Sequence, residues 1–226
     1  MPSKTSSIRL LLVAIVNAAI LLALNARATP SFLFQSATLG DPQSGGISII
    51  PEQIIGVRFQ LATAVQIEQI GGAFGGESGG NRQLTGALVS LSSLSDFPDS
   101  RNLSTPDVLM HVNFIPHLNS TEEISVPITP ITLSPGTYAL VFTSGLFGAT
   151  GTGFASWSNN DLGSSSYFSR TDPDSFWQNS TFNGTRMFVI GTVPEPGSLT
   201  LVGMLLGGLC LRRARWRTRL SVTSNQ

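Results

Sequence analysis

The amino-acid sequence predicts an all-β fold for residues 29–192, an antiparallel β-sandwich of jelly-roll-like form, and three observations carry that prediction. Apolar residues recur with a period of two, the spacing that sets one side of a strand against a core. Clusters of Gly, Pro, Asn, Asp and Ser interrupt these runs at short intervals, as the turns of a sandwich require. The 3.6-residue apolar period of a helix is nearly absent from the segment.

The elements follow in chain order. Lys4 and Arg9 precede an apolar run from Leu10 to Leu24, and Asn25-Ala26-Arg27-Ala28 closes it with small residues where a signal peptidase reads them. Residues 1–28 are therefore expected to be a signal peptide cut after Ala28, with Ala26 and Ala28 as the cleavage determinants. An uncleaved anchor is the alternative, and under either reading residues 29–192 leave the cytoplasm. Within them Val57, Phe59 and Leu61 alternate with Gly56, Arg58 and Gln60. Ala87, Val89 and Leu91 alternate with Ser90 and Ser92, and Val108, Met110, Val112 and Phe114 with His111 and Asn113. Ile124, Val126 and Ile128, then Tyr138, Leu140 and Phe142, then Met187 and Val189 continue the pattern. Gly71-Gly72, Gly75-Gly76, Gly79-Gly80, Ser134-Pro135-Gly136 and Asp172-Pro173-Asp174 are expected as turns. The Pro-Gly turn at 135–136 should feed the strand led by Tyr138 into the middle of a sheet.

Charge separates this segment from its flanks. The whole chain is formally neutral, but residues 29–192 hold five arginines against twelve carboxylates, a formal charge of −7. The segment has neither lysine nor cysteine, since Lys4 and Cys210 fall outside it. Disulfides and thiolate metal sites are excluded. The acidity argues against nucleic acid as a partner, because phosphates demand clustered Lys and Arg.

The C-terminal end reads as an address. Val193-Pro194-Glu195-Pro196-Gly197 precedes an apolar run over 198–211, followed by Arg212, Arg213, Arg215, Arg217 and Arg219. Each proline disfavours helix at the residue before it, so Pro194-Glu195-Pro196 should be extended and suited to a protease cleft. Fourteen helical residues span about 21 Å against a hydrocarbon core of ~30 Å, a marginal transmembrane helix that snorkelling arginines make tolerable. A buried core helix is the alternative, disfavoured by the five arginines at its end. The positive-inside rule places those arginines, as a basic anchor over 212–219, in the cytoplasm together with Lys4 and Arg9. Residues 220–226 are expected to be a disordered terminus.

This three-part pattern over 193–219 resembles the PEP-CTERM sorting signal of Gram-negative bacteria. The resemblance implies recognition by an exosortase-type membrane protease and removal of the tail near the motif. It also implies delivery from an inner-membrane-tethered precursor to the outer envelope, cell surface or extracellular matrix, often with exopolysaccharide or biofilm. The stretch Ile131-Thr132-Leu133-Ser134-Pro135-Gly136-Thr137-Tyr138, with Phe59, Trp157 and the closing Phe188-Val189-Ile190-Gly191-Thr192, is similar to the choice-of-anchor β-sandwich domains found ahead of such tails. That second resemblance brings no catalytic residues and no cofactor.

Candidates for chemistry are sparse. His111 and His117, with Asp107, Glu122 and Glu123 nearby, lack the convergence of a zinc site. Ser156, Ser158 and Ser164-Ser165-Ser166 lack a Gly-x-Ser-x-Gly elbow, and Asp96 and Asp99 flank Pro98 as a turn does. No enzyme is expected. Asn159-Asn160-Asp161 and Asp172-Pro173-Asp174 carry hard oxygen ligands suited to calcium, without an EF-hand spacing, and read first as turns. Gly75-Gly76-Glu77-Ser78-Gly79-Gly80-Asn81 lacks the Lys-Ser/Thr ending of a phosphate loop. The sequons at Asn102, Asn119, Asn179 and Asn183 carry meaning only in a eukaryotic secretory route. Trp157, Tyr167, Phe168, Phe176 and Trp177 fall in one segment read as irregular. They are expected either to cap the sandwich as a satellite core or to stack on a sugar, with Trp157 and Trp177 as the platform. The expected function is thus an exported, non-catalytic surface or matrix protein, the alternative being a secreted carbohydrate-binding module built on the aromatics of 154–177.

Overall fold

The period-two segments form strands because β-branched and aromatic residues pack well on a pleated surface. The computed structural model describes residues 29–194 apart from 41–44, 52, 78–79, 119, 158, 164–165, 173 and 182–183. Its strands are β1 (Ser31–Gln35), β2 (Ala37–Thr38), β3 (Gly46–Ile49), β4 (Ile54–Leu61), β5 (Val65–Gly76), β6 (Leu84–Leu91) and β7 (Val108–Phe114). They continue as β8 (Glu122–Leu133), β9 (Gly136–Thr143), β10 (Gly153–Ser156), β11 (Asn160–Asp161), β12 (Ser166–Arg170), β13 (Gln178–Asn179) and β14 (Met187–Thr192). No helix occurs among the described residues, none therefore long and apolar enough to cross a membrane. Thr29–Val193 forms one compact unit.

Every ladder between these strands is antiparallel. In one sheet β5 is central, with β8 along one side and β14 and then β10 along the other. β1 lies outside β14, and β3 outside β10. The second sheet runs β13-β12-β4-β9-β6-β7. The short β2–β11 pair stands apart from both. The chain crosses between sheets at 62–64 and again at 134–135, where β9 enters between β4 and β6. Tyr138 secures that crossing by donating its hydroxyl to the Ser134 carbonyl at 2.8 Å, the tyrosine corner of sandwich folds.

Side chains from the facing sides of both sheets make one core. Ile47, Ile67, Ile70, Phe74, Val126 and Val189 meet Val57, Phe59, Leu84, Leu88, Leu140 and Phe142 there. Phe74 lies at the centre, 4.5 Å from the Phe142 ring and 5.3 Å from that of Phe114. Burying each such side chain contributes about 1.5–3 kcal/mol.

Several expectations change once the strands are seen. The Gly71-Gly72 pair is interior to β5 and the Gly75-Gly76 pair forms its last two residues, so both are strand and not turn. Their reason is steric: a Cβ on Gly71 would meet the Ile124 carbonyl and sit 2.5 Å from the Phe188 ring, and one on Gly75 would meet the Phe154 ring. The sheet uses glycine to let aromatic rings lie flat on it. Tyr167 and Phe168, read as irregular, belong to β12 and are buried. Asn160 and Asp161 form β11 against β2. Gly79 lies outside the described residues, as do Asn119, Asn183 and Pro173.

The alternation in β4, β6 and β9 does not separate a dry face from a wet one. Gly56 and Arg58 are buried as fully as Val57 and Phe59. In β6, Leu84 and Leu88 join the shared core, while Val89 packs with Leu103, Ala139, Val141 and Phe168 in a second cluster on the outer side. The connections 92–107 and 171–177 bring Phe97, Leu103 and Trp177 onto this second cluster and roof it.

Candidate functional site

β4 sends Arg58 outward from the shared core because its neighbours Val57 and Phe59 point inward. Under the roof its side chain is 2% exposed. The guanidinium lies 4.3 Å from the Phe97 ring and 4.6 Å from the Phe168 ring. Nε donates to the Asp96 carbonyl at 2.5 Å and Nη1 to Ser166 Oγ at 3.0 Å, while Nη2 makes no hydrogen bond. Burial lowers the Arg58 pKa and the nearby Asp96 charge opposes that shift. The group stays cationic because free guanidinium starts so far above neutrality.

The ladder of rings and arginines continues along the face. Phe168 meets Trp177 edge-on at 5.5 Å, and Trp177 donates its indole N–H to the Ser100 carbonyl at 3.3 Å. Buried Arg170 lies 5.8 Å from the Trp177 ring and donates Nη1 to the Asp172 carbonyl at 3.0 Å; its Nε is without a partner. Arg101 rests 3.9 Å over Phe176 and donates to the Asp174 carbonyl at 2.6 Å. Backbone carbonyls and ring faces, more than carboxylates, hold these three cations. That makes them staples for the connecting loops.

On the outer side of the other sheet Arg186 plays a similar part. It donates Nε to Glu123 Oε2 at 2.5 Å and Nη1 to Gln35 Oε1 at 3.0 Å and to the Ala37 carbonyl. Its guanidinium lies 5.1 Å from Phe32 and 5.0 Å from Phe188. One residue thereby ties β1, β2, β8 and β14 together.

The structure separates the residues singled out from sequence. Trp177 is half-buried in the roof, whereas Trp157, just after β10, is 58% exposed. The apolar contacts of Trp177 belong to the second cluster, and Asn160 and Asp161 are exposed beside Trp157 in sequence. His111 lies on the outer side of β7, stacked on Phe147 at 4.1 Å, and His117 pairs through Nδ1 with Glu122 at 2.8 Å. Glu123 is taken by Arg186, and Asp107 accepts from the Asp99 amide. No group of three or more His, Cys, Asp or Glu side chains able to hold a metal occurs among the described residues. Val193 and Pro194 leave β14 exposed. Glu195, Pro196, Gly197, the run 198–211, Arg212, Arg213, Arg215, Arg217 and Arg219 lie outside the described residues, as do Ala26 and Ala28.

Sequence reasoning missed the buried arginines. The available signal was an arginine in each of two apolar strands, Arg58 and Arg170, with aromatic residues clustered at 157–177 and Phe97 upstream. In a domain without lysine, an arginine inside a strand marks a place where a ring can shield it. No protein-family model matches the chain, and none of the curated proteins matches it.

Proposed function

We propose that this is an exported, non-catalytic protein of the cell surface or extracellular matrix, held on the inner membrane as a precursor and then cut at its PEP-CTERM-like tail by an exosortase-type protease. A signal peptidase removes residues 1–28, and residues 29–192 are the extracytoplasmic cargo, placed among exopolysaccharide or biofilm. The observation that carries the reading is the tail itself: a proline-bracketed glutamate, a marginal apolar span and five arginines in fixed order. Its exit supports the reading, since Val193 and Pro194 follow directly on the last strand in exposed positions where a protease reaches them. The repeated passage of the chain from one sheet to the other supports a jelly-roll-like description of the fold. No cofactor belongs to this function.

Intact mass spectrometry of envelope and medium fractions from the native host tests it. The expected mature protein begins at Thr29 and ends near the 193–197 motif. A product that still ends at Gln226, in cells possessing the sorting protease, overturns the proposal.

A second reading, a secreted carbohydrate-binding module, is favoured by the exposure of Trp157. With Trp177 engaged in the roof, that reading rests on a single ring beside Asn160 and Asp161. Polysaccharide binding lost in Trp157→Ala and kept in Trp177→Phe is its expected outcome.

A further inference from the structure

The margins of the two sheets are not equally guarded against the approach of another strand. β1, β3 and β13 have five, four and two residues, too short to template a long pairing. β8 is long but carries Glu122, Glu123, Pro127 and Pro130. β7, the last strand of the second sheet, runs seven residues from Val108 to Phe114 with neither a carboxylate, a lysine, an arginine nor a proline. Its register against β6 shifts at Leu109, so Met110 to Phe114 form a regular stretch. Asp107 stands before the strand, and Arg82, His117 and Glu122 gather about the connection that follows it.

The shared core is least covered on the same side. Of the half-buried apolar residues packed against it, Leu109, Met110 and Val112 belong to β7 and Ile124, Ile128 and Ile131 to β8, while Leu33 and Phe34 lie elsewhere. β7 and β8 are neighbouring margins of the two sheets, and no strand lies beyond β7 among the described residues. A free row of backbone groups thus coincides with a strip of incompletely covered aliphatic side chains, and a strand laid along β7 satisfies both.

A second copy of β7 suits this margin. Laid antiparallel about Val112, Met110 falls opposite Phe114 of the second copy, Val112 opposite its own counterpart and His111 opposite Asn113. The row facing the core is then apolar on both strands, and the outward row sets no carboxylate against another. Residues 29–192 of each copy carry −7, so two copies meet at lowest electrostatic cost where the touching strands hold no carboxylate. The arrangement is two-fold and closes on itself.

We propose that two copies of this domain join through β7, the strands pairing antiparallel about Val112 and continuing the β13-β12-β4-β9-β6-β7 sheet of one copy into that of the other. The contact belongs to the described domain and holds whether or not the tail is a sorting signal.

The test uses the full chain in detergent micelles, with Cys210→Ser and one new cysteine. Directly opposed residues of an antiparallel pair have Cα atoms about 4.5–5.5 Å apart, within reach of a disulfide. Val112→Cys is expected to give a disulfide-linked dimer on mild oxidation, at least tenfold more of it than Trp157→Cys, whose site is exposed outside β7. A chain that stays monomeric with cysteine at 112, whether β7 is bare or holds another partner, overturns the proposal, as does equal cross-linking at both positions. Because Val112 packs against the core, charge pairs on the outward row supply a second measurement. His111→Glu with Asn113→Glu sets carboxylate against carboxylate across the two-fold axis, and His111→Glu with Asn113→Lys sets carboxylate against ammonium. Sedimentation is expected to show a dimer dissociation constant at least tenfold higher for the first pair than for the second. Equal constants overturn the pairing.

Discussion

The roofed strands β4, β9 and β6 and the margin strand β8 of the other sheet are built differently on their outer sides. Over β4, β9 and β6 the connections 92–107 and 171–177 lay down Phe97, Leu103 and Trp177, so those strands are dry on both faces. Along β8 no such cover exists, and exposed residues such as Glu123, Ser125 and Pro127 flank buried or half-buried Ile124, Val126 and Ile128. A roofed sheet tolerates any residue that finds a partner under the roof, including a guanidinium between two rings. An uncovered strand such as β8 enforces the polar–apolar alternation that water demands.

The sharpest way to break this comparison is to hollow each side in turn. Phe168→Ala, under the roof, is expected to lower unfolding stability by about 3–5 kcal/mol, the range for a buried aromatic. Phe154→Ala, half-buried on the other sheet, is expected to lose only about 1–2 kcal/mol. Urea unfolding measures both, and equal losses would mean that the roof is a loose cover and no true core.

Arg58 sharpens the same point. Arg58→Ala leaves a gap between Phe97 and Phe168 and frees the Asp96 carbonyl and Ser166 hydroxyl, an expected loss of about 2–3 kcal/mol. Arg58→Met keeps an unbranched chain between the rings and removes a desolvated charge whose Nη2 is unpaired, so its loss should stay below about 1 kcal/mol. If methionine is as damaging as alanine, the charge itself holds the roof.

The smallest effect belongs to Tyr138, at the crossing between the sheets. Tyr138→Phe removes the bond to the Ser134 carbonyl and should lower stability by about 1 kcal/mol at neutral pH. Burial raises the Tyr138 pKa, so the folded state holds the phenolic proton more tightly than the unfolded chain does. That contribution is complete below the unfolded value near 10 and is lost as pH rises through the folded value. The gap between the two proteins should therefore narrow in alkaline denaturant titrations. A constant gap would show that the phenol does not feel its burial.

What was legible in the sequence follows the same division. β4, β6, β7, β8, β9 and β14 were readable from the period of two, whereas β1, β3, β5, β10 and β12 were not, and the Ser134-Pro135-Gly136 turn into the central strand β9 was readable because proline and glycine fix turn geometry locally. The two-sided burial of β4 was not, since Gly56 and Arg58 look like the polar half of an alternating strand until Phe97 and Phe168 are placed beside them. Nor were the β5 glycines, whose meaning depends on rings from β10 and β14 far away in the chain. Of the site residues, the exposure of Val193 and Trp157 agrees with their loop-like surroundings. The anchoring of Trp177 depends on Ser100, 77 positions away.

One feature of the open side matters when many copies crowd together. Opposite Glu68, β8 bulges through 128–130, and Pro127 and Pro130 bracket that bulge on the sheet's free margin. Two backbone donors are missing there and the spacing is broken, so a neighbouring molecule finds no regular template to extend. Dense packing of this domain can then rise without seeding cross-β stacks along that margin.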